Sequence, residues 1–125
     1  MPTPNCKGFY MSNVAEEKSL QLANRIVNLY NYLVNEKKDY VLSRQILRSG
    51  TSIGANIAEA QDAQSRKDFV SKMSIALKET SETKYWLKVL LNGTYISKQE
   101  FDSLFDDVCE MHKIISSIVL TTKEN

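Results

Sequence analysis

Proline is nearly missing from this chain. Its two prolines, Pro2 and Pro4, both fall in the first four of 125 residues, and glycine occurs only four times. Proline removes a backbone donor and clashes with the preceding turn. Beyond Pro4, therefore, nothing covalent interrupts a helix. No apolar run approaches the roughly 18 residues that a membrane span needs, so no membrane association is expected. The start, Met1-Pro2-Thr3-Pro4-Asn5-Cys6-Lys7, has no basic residue followed by an apolar stretch, and a secretory signal is not expected either. Two cysteines, Cys6 and Cys109, do not make a disulfide framework. They read as free thiols of a reducing compartment, which places the chain in the cytoplasm.

An excess of one charge is also lacking. Sixteen Lys and Arg face fifteen Asp and Glu, a net charge of +1, so global charge does not argue for nucleic acid. The distribution is less even. Residues 65–92 carry six basic and three acidic side chains, and residues 93–125 carry three and six. Histidine is almost absent. His112 is the only one, which excludes a di-iron carboxylate bundle with its two Glu-x-x-His pairs. Glu110 lies two residues from His112 and does not share its helix face. Cys109 lies three away and can touch it, but no third group activates the pair. No P-loop, H-E-x-x-H, G-x-S-x-G or C-x-x-C pattern occurs. The expectation is a chain that is not an enzyme, with no cofactor, metal or small-molecule substrate.

What is present is helical periodicity, four times over. The first predicted helix spans about Asn13 to Lys37. Ser19, Leu22, Ala23, Ile26, Val27, Tyr30, Leu33 and Val34 form its stripe, Asn13 with Glu16 its capping box, and Lys37-Lys38 the cationic end that suits the helix dipole. The second spans about Tyr40 to Ala63, with Leu42, Ile46, Ile53, Ile57 and Ala60 inward. Gly50 and Gly54 weaken it by about 1 kcal/mol each, which predicts that another backbone approaches closely there. The third spans about Arg66 to Asn92, with Ser65 and Asp68 at its start. Phe69, Met73, Ala76, Thr80, Leu87, Leu90 and Leu91 lie inward, and Gly93 is a left-handed stop. The fourth spans about Lys98 to Thr121 behind the Ser97–Glu100 box. Phe101, Leu104, Phe105, Val108, Met111, Ile115, Ile118 and Val119 form its stripe. Short connections make sequential neighbours antiparallel. The fold class is all-α, an up-down-up-down four-helix bundle over residues 12–122. A flexible tail over 1–11 and a short C-terminal tail over 123–125 flank it.

Three blocks carry a family resemblance. Ser52-Ile53-Gly54-Ala55-Asn56-Ile57-Ala58-Glu59-Ala60 resembles the S-I-x-x-N-I-A-E-[GA] signature of the bacterial four-helix-bundle proteins encoded in intervening sequences of 23S rRNA genes. Ser65-Arg66-Lys67-Asp68-Phe69 resembles the S-x-x-[DE]-F helix start of that family. Ala76-Leu77-Lys78-Glu79-Thr80-Ser81-Glu82-Thr83-Lys84-Tyr85-Trp86-Leu87 resembles its A-L-K-E-x-x-E-T-x-Y-W-L block. The resemblance covers about residues 12–120. It implies the same bundle, and assembly as a homopentamer, as in some relatives. One distant relative, the accessory variability determinant of diversity-generating retroelements, binds nucleic acid; it is markedly basic, and this chain is not.

Three groups of residues are candidates for function. Arg66, Lys67, Lys78, Lys84 and Lys88 fall within about a third of the third helix's circumference, with Ser71, Ser74, Ser81 and Tyr85. This is either a strip for a phosphate backbone or an ordinary solvated face. Trp86, with Ile75, Glu79 and Glu82 on one flank, is either a subunit contact or a peripheral core residue. Contacts between the basic third helix and the acidic fourth (Asp102, Asp106, Asp107, Glu110) can close a ring. Asn56 is either a polar pin of helix register or a ligand contact, and Glu59 needs a cation in this chain or another. The expected role is an oligomeric scaffold or adaptor with a protein or RNA partner. The alternative is a protein that binds RNA directly through the third helix.

Overall fold

The computed structural model describes residues 6–124, with side chains over 12–123. Four helices follow one another: α1 (Cys6–Asn35), α2 (Leu42–Gln61), α3 (Arg66–Asn92) and α4 (Lys98–Glu124). No strand occurs among the described residues. Each helix packs on its two neighbours in the cycle α1–α2–α3–α4–α1, and the diagonal pairs do not meet. Cross-helix contacts fix the directions. Gly50 and Gly54 face Ile26 and Ser19. Arg48 and Glu59 pair with Glu82 and Lys72. Thr80 and Lys88 meet His112 and Phe105, and Lys18 and Arg25 pair with Glu110 and Asp107. Numbers rise on one helix as they fall on the next in every case, so all four contacts are antiparallel.

The ends differ from expectation in instructive ways. α1 begins at Cys6, so Asn13 and Glu16 lie inside the helix and do not cap it. It stops at Asn35, leaving Lys37 and Lys38 beyond the helix, and Lys38 takes a left-handed φ of 56°. The first connection is therefore six residues long and not the single Asp39. Asp39 starts the next helix instead: its carboxylate accepts the Ser43 N–H at 2.7 Å and its carbonyl accepts the Ser43 hydroxyl at 2.8 Å. Ser65 caps α3 as expected, accepting the Asp68 N–H at 3.0 Å, while Asp68 reaches back to the Gln64 N–H. The Ser97–Glu100 box closes reciprocally at 3.1 and 3.2 Å. At the end of α3 the left-handed residue is Thr94 (φ 61°), whereas Gly93 has φ −82°. Gly93 sits close to a side chain instead: a Cβ there would lie 3.0 Å from the Tyr95 ring, which would have to give by a few tenths of an ångström. The expected tail residues 1–5 and Asn125 lie outside the described residues.

Ile26, Leu33, Ile46, Ile53, Ile57, Met73, Leu87, Met111, Ile115 and Ile118 are all but fully removed from solvent. The predicted stripes of α2, α3 and α4 supply most of this core. In α1 the buried line runs through Ala15, Ser19, Leu22, Ile26, Leu29 and Leu33. Val27, expected inward, is 39% exposed. It belongs to a second apolar line displaced by about a third of a turn. Gly50 and Gly54 bring α1 and α2 together, since a Cβ at Gly50 would lie 2.8 Å from two carbons of Ile26 and one at Gly54 would lie 2.9 Å from Ser19 Oγ.

Candidate interaction surfaces

A four-helix cycle has four outer faces, one over each seam, and this chain treats them differently. On the α1–α4 face Lys18 pairs with Glu110 at 3.3 Å. Arg25 pairs with Asp107 at 2.6 Å and reaches Ser103 Oγ at 2.9 Å. A shallow cleft lies between them, lined by Lys18, Gln21, Leu22, Asp107, Glu110 and Met111. Asp102 pairs with Lys98 on its own helix. Of the acidic residues offered for a head-to-tail ring, Asp102, Asp107 and Glu110 are thus already matched within the chain, and Asp106 makes no ion pair among the described residues.

The α2–α3 face is also matched. Arg48 reaches Glu79 at 3.6 Å and contacts Glu82. Glu82 in turn accepts the Trp86 indole N–H at 2.9 Å. Trp86 is half-buried against the core and meets the Tyr85 ring edge-on at 5.1 Å. The four residues grouped around it, Trp86, Ile75, Glu79 and Glu82, do share one flank. The two carboxylates serve Arg48, and Ile75 alone of the four is exposed, at 38%. One oxygen of Glu79 is buried without a hydrogen-bond partner; Arg48 stands near it but beyond hydrogen-bond range. Beneath this network the buried hydroxyls of Ser49 and Thr83 lie 3.0 Å apart. Thr83 also donates to the Glu79 carbonyl at 2.7 Å. Its single proton is thereby used, which leaves Ser49 as the donor between the two hydroxyls. Glu59 finds its cation in Lys72 of the same chain, at 3.5 Å. Asn56 donates to the Ser52 carbonyl of its own helix at 2.8 Å. It does not pin α2 to a neighbour by that bond.

The α3–α4 face is different. Arg66, Lys67, Lys78 and Lys88 are exposed and Lys84 is half-buried. None of the five makes an ion pair among the described residues. Lys88 lies over the Phe105 ring, 5.7 Å from its centroid, so its stem packs while its charge stays in water. Tyr85 sits among these cations and is 58% exposed. Below the face, Thr80 donates to the Leu77 carbonyl at 2.6 Å, so its oxygen accepts from Nδ1 of His112, 3.0 Å away. Burial lowers the His112 pKa from its ordinary value, and the positive charge of Lys84 lowers it further. Cys109 is half-buried and free. Among the described residues no three His, Cys, Asp or Glu side chains are grouped to hold a metal, and no helix is long and apolar enough to cross a membrane.

The α1–α2 face carries the apolar surplus. Leu20 is 64% exposed and Val27 39%, and across the seam α2 presents Thr51, Gly54, Ala55 and Ala58. Tyr40 and Val41, in the connection at one end, are 54% and 69% exposed. Sequence reasoning missed this surface because Val27 was assigned to the core. It also missed the Arg48 and Arg25 networks, whose partners lie on other helices and leave no mark in a 3.6-residue period.

The comparisons with known proteins agree with the architecture. No curated protein matches the chain. Among solved structures, a protein of unknown function from the S23 ribosomal protein family of Bacteroides thetaiotaomicron is 55% identical. The match covers 87% of this chain and 97% of that one, with a TM-score of 0.86. The model of the 23S rRNA-intervening sequence proteins matches residues 12–117, so the chain belongs to the 23S rRNA-intervening sequence protein family.

Proposed function

We propose that the chain does no chemistry and works as a self-associating bundle, a scaffold that holds copies of itself together and offers a surface to a partner. The observation that carries this reading is the exposed apolar line of Leu20 and Val27 over the small residues of α2. A monomer gains nothing from keeping large apolar side chains in water, whereas a second copy seated on the face removes them from it. The other faces suit self-contact less well. Two have their charges matched within the chain, and the third would set lysine against lysine. A closed ring of five is the assembly that the family resemblance implies. The engagement of His112 with Thr80 supports the non-catalytic part of the reading. The free thiol of Cys109 suits the cytoplasm as its location.

The test is the native mass by light scattering after size exclusion, at low and high salt. The reading expects a multiple of the 14.3 kDa chain at both, and a monomer at both salts refutes it. Leu20→Glu with Val27→Glu should shift the mass towards the monomer.

A second reading rests on a separate observation, the five unmatched cations of α3. They suit an extended polyanion, and the partner in this reading is RNA held through its phosphates. Reversing Lys78, Lys84 and Lys88 to Glu should weaken such binding and reduce its salt dependence.

A further inference from the structure

The five cations draw attention to the residue between them. Tyr85 is the most exposed aromatic of α3, at 58%. On the helix surface Ser81, four residues before it, and Lys88, three after it, are its neighbours. Lys78 lies two turns earlier on nearly the same line. The ring is steadied from below by its edge-on contact with Trp86 at 5.1 Å, and Trp86 is tied to Glu82 and thence to Arg48. A tyrosine held upright by a fixed neighbour, with its outer side in water and lysines around it, has no packing role to explain its exposure. Lys18 and Arg25 on the α1–α4 face and Arg48 and Lys72 on the α2–α3 face are neutralised by carboxylates of the same chain; the five cations here are not.

Phosphate attraction alone would be met by the lysines and would favour the more densely charged double strand. An exposed ring adds something a duplex cannot use, since its bases are stacked on one another and closed off from an aromatic on a flat helix face. A single strand can unstack and lay a base on the ring while its phosphates track the lysines.

We propose that the outer face of α3 binds single-stranded RNA, with Tyr85 as a stacking platform for a base and Lys78, Lys84 and Lys88 on the flanking phosphates. This rests on the second reading above and names its partner. The face is shallow and uses no base-edge recognition, so binding is tolerant of sequence. It is strongest where bases are free of secondary structure.

The experiment is fluorescence anisotropy of the full chain with a labelled oligouridylate, an RNA duplex of equal length, and heparin. The oligouridylate should bind more tightly than the duplex. Tyr85→Ala should weaken it about ten-fold, and Tyr85→Phe should not, because a base stacks on either ring. Tyr85→Ala should leave heparin binding unchanged. Reversing Lys78, Lys84 and Lys88 should flatten the dependence of log affinity on log salt by about two, at roughly 0.7 for each single-strand phosphate. Circular dichroism of each variant guards against a folding defect. If the wild type binds none of the three probes, the RNA reading itself falls. If the duplex and heparin bind at least as tightly as the oligouridylate and Tyr85→Ala changes nothing, the stacking inference falls and a purely electrostatic surface remains.

Discussion

A methyl group placed at Gly50 tests the tightest contact in the bundle. An alanine Cβ there would lie 2.8 Å from both Cγ1 and Cγ2 of Ile26 and 3.2 Å from its Cδ1. Carbon atoms pack comfortably at about 3.5–4.0 Å, so α1 and α2 must separate or Ile26 must move. Ile26 is wholly buried and β-branched, which leaves it few rotamers to retreat into. Overpacking of this kind costs about 1–3 kcal/mol, and with two fixed carbons in the way the upper half of that range applies. The better helix propensity of alanine returns about 1 kcal/mol. The net expectation for Gly50→Ala is a loss of about 1–2 kcal/mol, or roughly 4–8 °C in melting temperature for a chain of this size. Gly54→Ala should cost less, because its nearest atom is the Ser19 hydroxyl at 2.9 Å, which can turn aside by giving up its bond to the Glu16 carbonyl. Urea unfolding followed by circular dichroism, at one protein concentration so that assembly is held constant, measures both. The contact is confirmed by a cycle with Ile26→Ala: the double variant should be more stable than the sum of the single losses by at least about 1 kcal/mol. A Gly50→Ala protein as stable as the wild type, or strict additivity with Ile26→Ala, would show that the helices do not meet there as described.

Other expectations use the remaining networks. His112 has its pKa held below the ordinary 6.5 by burial and then by Lys84, so between the folded value and 6.5 the unfolded chain binds more protons than the folded one. The histidine's contribution to stability is complete above pH 6.5 and is lost as pH falls through the folded value. His112→Gln should flatten the slope of the unfolding midpoint against pH in that window. Lys84→Met should raise the His112 pKa seen by proton NMR. Glu79 keeps one buried oxygen without a hydrogen bond, and removing the nearby guanidinium with Arg48→Ala leaves that carboxylate less compensated. A loss of about 1 kcal/mol or more is expected, together with a change in Trp86 fluorescence as Glu82 loses its cation, whereas Glu79→Gln should be close to neutral. An unchanged emission spectrum in Arg48→Ala would break the proposed link from Arg48 through Glu82 to the indole.

The helices were legible because their signals are local. Isoleucines at 46, 53 and 57 and the Ser97–Glu100 box depend only on spacing within one segment, and they sit in the structure where spacing puts them. Gly50 and Gly54 were legible as a close approach because a helix that accepts two glycines needs a packing reason. The errors have equally local causes. Val27 lies one position after Ile26, and an apolar residue beside a stripe reads as part of it unless the neighbouring helix is known. The stop after α3 uses Thr94 for its positive φ, a role that propensity assigns to Gly93. Of the ion-paired faces only the need of Glu59 for a cation was legible. Arg48 meets Glu82 only once the register of α2 against α3 is set, and the contact that marks that register, Ser49 against Thr83, is buried beneath the pair.

The same geometry separates two kinds of residue within the family-like blocks. In α2, Ile53, Ile57 and Ala60 are core, Gly54 faces Ser19, Ser52 and Asn56 bond to carbonyls of their own helix, and Glu59 meets Lys72. In α3, Ala76, Thr83 and Leu87 are buried, Leu77 packs against the core, and Glu79, Glu82 and Trp86 belong to the Arg48 network. Most fixed positions of the two patterns are thus used in the core, in bonds within α2 or in the ion pairs between α2 and α3, so they build the bundle. Two positions of the A-L-K-E-x-x-E-T-x-Y-W-L block are left over. Lys78 and Tyr85 face solvent, pair with no carboxylate and fill no gap. If stability were their only purpose, replacing them would be costly. Exposed positions of this kind change stability by no more than about 0.5 kcal/mol, and Lys78→Glu with Tyr85→Ala should therefore leave the unfolding midpoint almost unmoved. A large loss of stability in that double variant would return both residues to the fold, while a stable protein that no longer holds oligouridylate would assign them to function.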